Sequence, residues 1–179
     1  MKNNNKILAL VTGGTFDKEY NLITGELFFK NTHLPEIFDR GRCSLDITVR
    51  TIMMIDSSDM NQSDREIILA NCRKSKFNKI LITHGTDTMV ETAELIAKAK
   101  ITDKTIVLVG AMIPYKFGIS SDGFFNLGSA LAFVQTLASG VYIAMHGRYF
   151  NWDNVYKNKS TGYFEEREKS KKKLFDPER

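Results

Sequence analysis

Four short stretches, residues 7–11, 79–83, 105–109 and 141–145, are near-continuous runs of apolar, mostly branched side chains, and residues 45–54 form a longer mixed run. Runs of this length predict strands buried on both faces of a parallel sheet. Between them the spacing turns helical. Met89, Val90, Ala93, Ile96 and Ala97 fall on one stripe, with Glu91 and Glu94 between them. Residues 124–138 are apolar over a wide helical face. Ser63 and Glu66 have the spacing of a capping box, which opens a helix reaching residue 76 with Ile67, Ile68 and Cys72 inward. Pro35 suits the first turn of a short helix after His33. Strands that alternate with helices predict an α/β fold with a doubly wound parallel sheet.

The rest is punctuation. Residues 17–31 show no helical pattern and are expected to form a hairpin or lid; 111–122 is a long loop. Tyr149-Phe150 and Val155-Tyr156-Lys157 flank the turn residues 151–154 and predict a second hairpin. Residues 1–160 read as one domain and 161–179 as a charged tail or helix.

Composition narrows the classes. The 179 residues are 42% hydrophobic and 26% charged, which is globular. The formal charge of +4 includes the run Lys169-Ser170-Lys171-Lys172-Lys173, which has no aromatic platform beside it. It reads as a solvated tail, and no nucleic-acid partner is expected. Cys43 and Cys72 have neither metal nor redox spacing and read as buried thiols in a reducing compartment. The first apolar run is too short for a secretory signal and no run is long enough for a membrane span, so a cytoplasmic protein is expected.

The candidate chemistry lies in the turns after strands. Thr12-Gly13-Gly14-Thr15-Phe16-Asp17, 56–61 and His84-Gly85-Thr86-Asp87-Thr88 each follow an apolar run, so a parallel sheet brings them to one edge. In open α/β folds ligands bind there. Together they offer Thr15, Ser57, Ser58, Asp59, Thr86 and Asp87. The first turn is neither a dinucleotide fingerprint nor a phosphate-binding loop. Asp87 also has a plain reading as a helix cap. No serine sits in a nucleophile elbow, and His33, His84 and His146 have no metal spacing. A threonine nucleophile needs a base, and Tyr20 and Lys157 are the candidates, each requiring a depressed pKa or a relay.

Thr12-Gly13-Gly14-Thr15 and His84-Gly85-Thr86-Asp87-Thr88 resemble the two signature segments of the bacterial-type L-asparaginases. The likeness continues through Ser57-Ser58-Asp59-Met60-Asn61, Gly110-Ala111-Met112-Ile113-Pro114 and Ser121-Asp122-Gly123-Phe124-Phe125-Asn126-Leu127, and reaches Lys157. It implies a three-layer fold like the asparaginase N-terminal domain. It also implies hydrolysis of L-asparagine to aspartate and ammonia through an acyl-enzyme, with no cofactor and no metal, in a homo-oligomer. By resemblance Thr15 is the nucleophile, Tyr20 assists it from a mobile loop, and Lys157 and Asp87 polarise Thr86 or a water. Ser57 and Ser58 line the substrate pocket, Ser57 holding the α-carboxylate and Asp87 the α-ammonium. Two departures stand out. The family's second domain is not in the sequence, so the chain resembles a short, single-domain form. Ser58 stands where family members carry glutamine. Both weaken ammonium binding, so a millimolar KM is expected. Glutamine, one methylene longer, is expected to be a poor substrate. A non-catalytic module that binds an amino acid or anion is the alternative.

Overall fold

The structure is a computed structural model and describes residues 6–167. Its main sheet has six strands: β1 (Ile7–Gly13), β4 (Ile47–Ile55), β5 (Lys79–Thr83), β6 (Thr105–Val109), β7 (Gly140–Met145) and β8 (Arg148–Asn151). They lie in the order β4-β1-β5-β6-β7-β8. The first five pair in parallel and β8 runs antiparallel at the edge. The doubly wound α/β expectation holds, with one antiparallel strand added.

Side-chain alternation divides the core into two layers. Leu8, Leu10, Ile80, Ile82, Ile106 and Leu108 meet Ile68, Leu69 and Cys72 of α2 (Gln62–Lys74), and Met89, Ala93 and Ile96 of α3 (Met89–Lys98). Ile7, Ala9, Val11, Leu81, Val107 and Val109 meet Leu34 and Ile37 of α1 (Leu34–Arg40), and Leu127, Ala130 and Val134 of α4 (Gly123–Thr136). Both faces are covered, which is why the strands read as apolar runs.

Several local expectations shift. The α2 cap is Asn61, not Ser63: Asn61 and Asp64 bond reciprocally at 3.2 and 2.9 Å. Asn61-x-x-Asp64 has the same box spacing as Ser63-x-x-Glu66, and asparagine caps at least as well as serine. With that start the buried stripe is Arg65, Ile68, Leu69 and Cys72, and Ile67 faces solvent at 47% exposure. Cys43 is only half-buried, whereas Cys72 is buried. Tyr149-Phe150 does not pair with 155–157. A two-residue turn, with His146 and Gly147 at φ 57° and 75°, folds β8 back on β7. Positive φ at both central residues matches the twist of tight hairpins. β9 (Tyr156–Lys157) pairs instead with β10 (Phe164–Glu165).

The expected boundary after residue 160 therefore falls inside a hairpin whose Phe164 is buried at 3% exposure. The basic run 169–173 lies outside the described residues. The 17–31 stretch does form a hairpin: β2 (Lys18–Tyr20) pairs antiparallel with β3 (Leu27–Phe29). Among the described residues no helix is long and apolar enough to cross a membrane.

Candidate active site

The strand order reverses beside β1, between β4 and β5, and the turns after these three strands meet there. Such a reversal opens a crevice at the carboxyl ends of the strands. Glycine makes this one close. Gly14 has φ 79°, and a Cβ there would overlap the backbone of Gly85. A Cβ on Gly85 would in turn overlap the backbone nitrogen and side chain of Ser57. The three turns are thus in direct contact, at a spacing that other residues at Gly14 and Gly85 would not permit. The Thr12 hydroxyl adds a tie, donating to the Thr83 carbonyl at 2.7 Å.

Thr86 is buried at the floor, 5% exposed. Lys157 arrives from β9, and its Nζ donates to Thr86 Oγ1 at 2.9 Å and to Asp87 Oδ1 at 2.6 Å. The lysine side chain is 13% exposed and that of Asp87 60%. This pair settles the plain reading of Asp87. The N-cap of α3 is Thr88, and the carboxylate next to it is turned toward the lysine.

Ser57 is 1% exposed. Its Oγ accepts from the Asp87 N–H at 3.2 Å, and its carbonyl accepts from the Thr88 hydroxyl at 2.8 Å. Ser58 differs from the expectation of a pocket-lining residue. It is exposed, and both its N–H and its hydroxyl donate to Asp56 Oδ1, at 3.1 and 3.0 Å. Asp56 also pairs with Lys18, at the root of the β2–β3 hairpin. Burial pushes the Asp56 carboxyl up, but the bonds from Lys18 and from the Ser58 N–H and hydroxyl together hold it below its usual range.

Thr15 opens a single 3-10 turn, Thr15–Asp17, and is half-buried. Among the described residues none hydrogen-bonds its hydroxyl. Tyr20 rides on β2, half-exposed, with its ring edge-on to Phe117 at 6.4 Å. No hydrogen bond joins Tyr20 to Thr15 among the described residues.

His84 is structural, as a lone histidine at a strand end is expected to be. Its Nδ1 bonds the Gly85 carbonyl at 2.7 Å, and the Thr92 hydroxyl meets Nε2 at 2.8 Å. Burial lowers its pKa to about 4, against the raising effect of the Gly85 carbonyl. It is therefore a neutral imidazole protonated on Nδ1 that spans the Gly85 turn and α3. Among the described residues no group of three or more His, Cys, Asp or Glu is arranged to hold a metal.

Pattern reading passes over two residues at the edge of this site, Asp17 and Lys18. Asp17 is completely buried at the end of the turn that Thr15 opens. A charged pair set between a strand end and a hairpin was the available signal, but partners 38 residues apart leave no periodicity to read.

Known proteins share this architecture. A family model described as asparaginase, N-terminal, matches residues 6–169. L-asparaginase 2 of Escherichia coli (strain K12) is 31% identical over 170 residues, covering 87% of this chain and 47% of that protein. The solved thermostable L-asparaginase from Thermococcus kodakarensis superposes with a TM-score of 0.76 at 26% identity, over 90% of this chain and 51% of that one. The probable cytoplasmic L-asparaginase from Campylobacter jejuni gives 0.74 at 31%, over 86% and 49%. The chain thus spans about half the length of these relatives. With the family match running through all three turns and on past Lys157, the chain belongs to the asparaginase family.

Proposed function

We propose that this chain forms an L-asparagine amidohydrolase site in which Thr15 carries the acyl group. The Thr15 oxygen attacks the side-chain amide carbon. Its proton passes to the departing nitrogen, which leaves as ammonia, and an aspartyl ester remains on Thr15. A water then cleaves the ester, giving aspartate and restoring the hydroxyl. Tyr20 assists the attack from the hairpin. Ser57 binds the α-carboxylate and Asp87 the α-ammonium, and N–H groups of the converging turns stabilise the oxyanion.

The observation that carries this reading is the bond from Lys157 to both Thr86 and Asp87. An ammonium that donates to a hydroxyl oxygen occupies that oxygen and polarises its O–H. Thr86 is thereby a strengthened donor, suited to hydrogen-bonding the substrate amide or a water. It is the poorer attacker, because the ammonium engages one of its two lone pairs and draws electron density from the oxygen. The Thr15 oxygen has no such engagement among the described residues, which favours it as the nucleophile.

Ammonia release from L-asparagine tests this. The wild-type protein should turn over, and Thr15→Ala should lose at least a thousandfold in kcat with its circular dichroism unchanged, in line with removal of a covalent nucleophile. Near-normal turnover by Thr15→Ala would move the nucleophile elsewhere. Binding of asparagine without ammonia release by the wild type would favour an amino-acid-binding module instead.

A further inference from the structure

We propose that Asp17 is a positioning residue for this site, closing the base of the hairpin that carries Tyr20 and so fixing where Tyr20 stands relative to Thr15. The inference rests on the proposed function for its consequence in turnover, and on geometry alone for the closure itself.

Asp17 ends the 3-10 turn that begins at Thr15, and β2 starts at the next residue. The hairpin returns through β3, and the chain reaches Thr32 and His33 just before α1. There Asp17 Oδ1 accepts from the His33 N–H at 2.9 Å and from the Thr32 hydroxyl at 3.1 Å. The Thr32 oxygen accepts in turn from the Leu34 N–H at 3.3 Å, at the first residue of α1. One carboxylate oxygen therefore ties the outgoing and returning ends of the hairpin to each other and to the helix that follows. Charge-assisted bonds of this kind are stronger than neutral ones.

The side chain is fully buried, and its other oxygen, Oδ2, has no hydrogen-bond partner among the described residues. A buried polar atom without a partner is costly and rare enough to need a reason. Fixing the lid is such a reason, because the hairpin is short and its tip is exposed. It is two short strands of three residues each, and Leu22 and Ile23 at its tip are 89% and 95% exposed. Its further ties are the Lys18–Asp56 pair at the root, the approach of Glu19 to His33 Nε2 at 3.7 Å and the Tyr20–Phe117 edge contact.

Hydrogen exchange on the purified protein, combined with steady-state kinetics on asparagine, tests the proposal. Asp17→Ala should speed amide exchange across residues 18–29 at least tenfold and leave β1 and β5 unchanged. Asp17→Asn keeps an acceptor oxygen and should stay within about threefold of wild type. Uniform acceleration, or none in the hairpin, would overturn the closure. If Asp17→Ala does not fold, Thr32→Ala decides: it removes one of the two donors and should raise hairpin exchange, and unchanged exchange would overturn the closure. In turnover, Asp17→Ala should lower kcat at least tenfold in the wild type and by less than twofold in a Tyr20→Phe background, since the two act as one unit. Equal losses in both backgrounds would overturn positioning. A wild type without ammonia release would sink the proposed function, and the exchange result would still judge the closure.

Discussion

Lys157 and Lys159 stand two residues apart and illustrate how little a lysine's sequence neighbourhood says about its role. Lys157 is held against Thr86 and Asp87, while Lys159 is exposed. Lys157→Met should remove most turnover, at least a hundredfold in kcat, and Lys159→Met less than twofold. Equal small effects in steady-state kinetics would return Lys157 to the surface. A second residue-scale expectation concerns pH. Burial lifts the Asp17 carboxyl from 3.8 to about 6, against the lowering pull of its bonds from His33 and Thr32. The folded protein therefore keeps a proton that the unfolded chain has lost, and stability falls as pH rises through that window, by about 3 kcal/mol in all. His84 acts in the opposite sense. Its neutral form is buried, so its stabilisation is present above the unfolded value of 6.5 and is lost as pH falls toward about 4. The two partly cancel in the wild type. In Asp17→Asn the first contribution is gone, so its stability relative to wild type should improve by about 2 kcal/mol between pH 4 and pH 7, most of that span. Denaturant titration at the two pH values checks this, and a pH-independent difference would contradict it.

At the scale of elements, the turns are the functional units and glycine sets their spacing. A methyl group at Gly85 would press on Ser57, whose Oγ and carbonyl hold the Asp87-Thr88 turn. Gly85→Ala should cost about 1–3 kcal/mol of stability through overpacking. It should also lower kcat/KM at least tenfold, since a misplacement of about 1 Å is enough for that. An unaltered melting temperature and full activity would mean that the turns are not in contact. The same elements show what a sequence reveals. The apolar runs announced β1, β5, β6 and β7, because strands buried on both faces have no other pattern. The threonine turns were legible as a site because hydroxyls clustered after several such runs. The cap of α2 was not, because Asn61-x-x-Asp64 and Ser63-x-x-Glu66 compete at the same spacing and both leave Ile68 and Cys72 inward. The partner of β8 was missed because a His-Gly turn carries a weaker hairpin signal than Asn-Gly, so the apparent turn at 151–154 drew the pairing away from β7. Ser58 was offered by its place in the second polar turn and by the resemblance, and its hydroxyl is engaged by Asp56.

At the scale of the molecule, a six-stranded sheet with one reversal of strand order brings the turns that carry Thr15, Ser57, Thr86 and Asp87 together, and the separate β9–β10 pair delivers Lys157 to Thr86 and Asp87. Membership of the asparaginase family follows from the match over residues 6–169, and the amidohydrolase reading rests on the arrangement within that crevice. The claim that matters most is that a threonine of the first turn, not of the third, bonds covalently to substrate. Mixing the protein with L-asparagine, quenching in acid within the first turnover and mapping the peptides by mass spectrometry tests it directly. The account predicts one aspartyl group esterified to Thr15, in a peptide that contains residues 12–18. An adduct on Thr86, or ammonia release with no adduct on any residue, would contradict it.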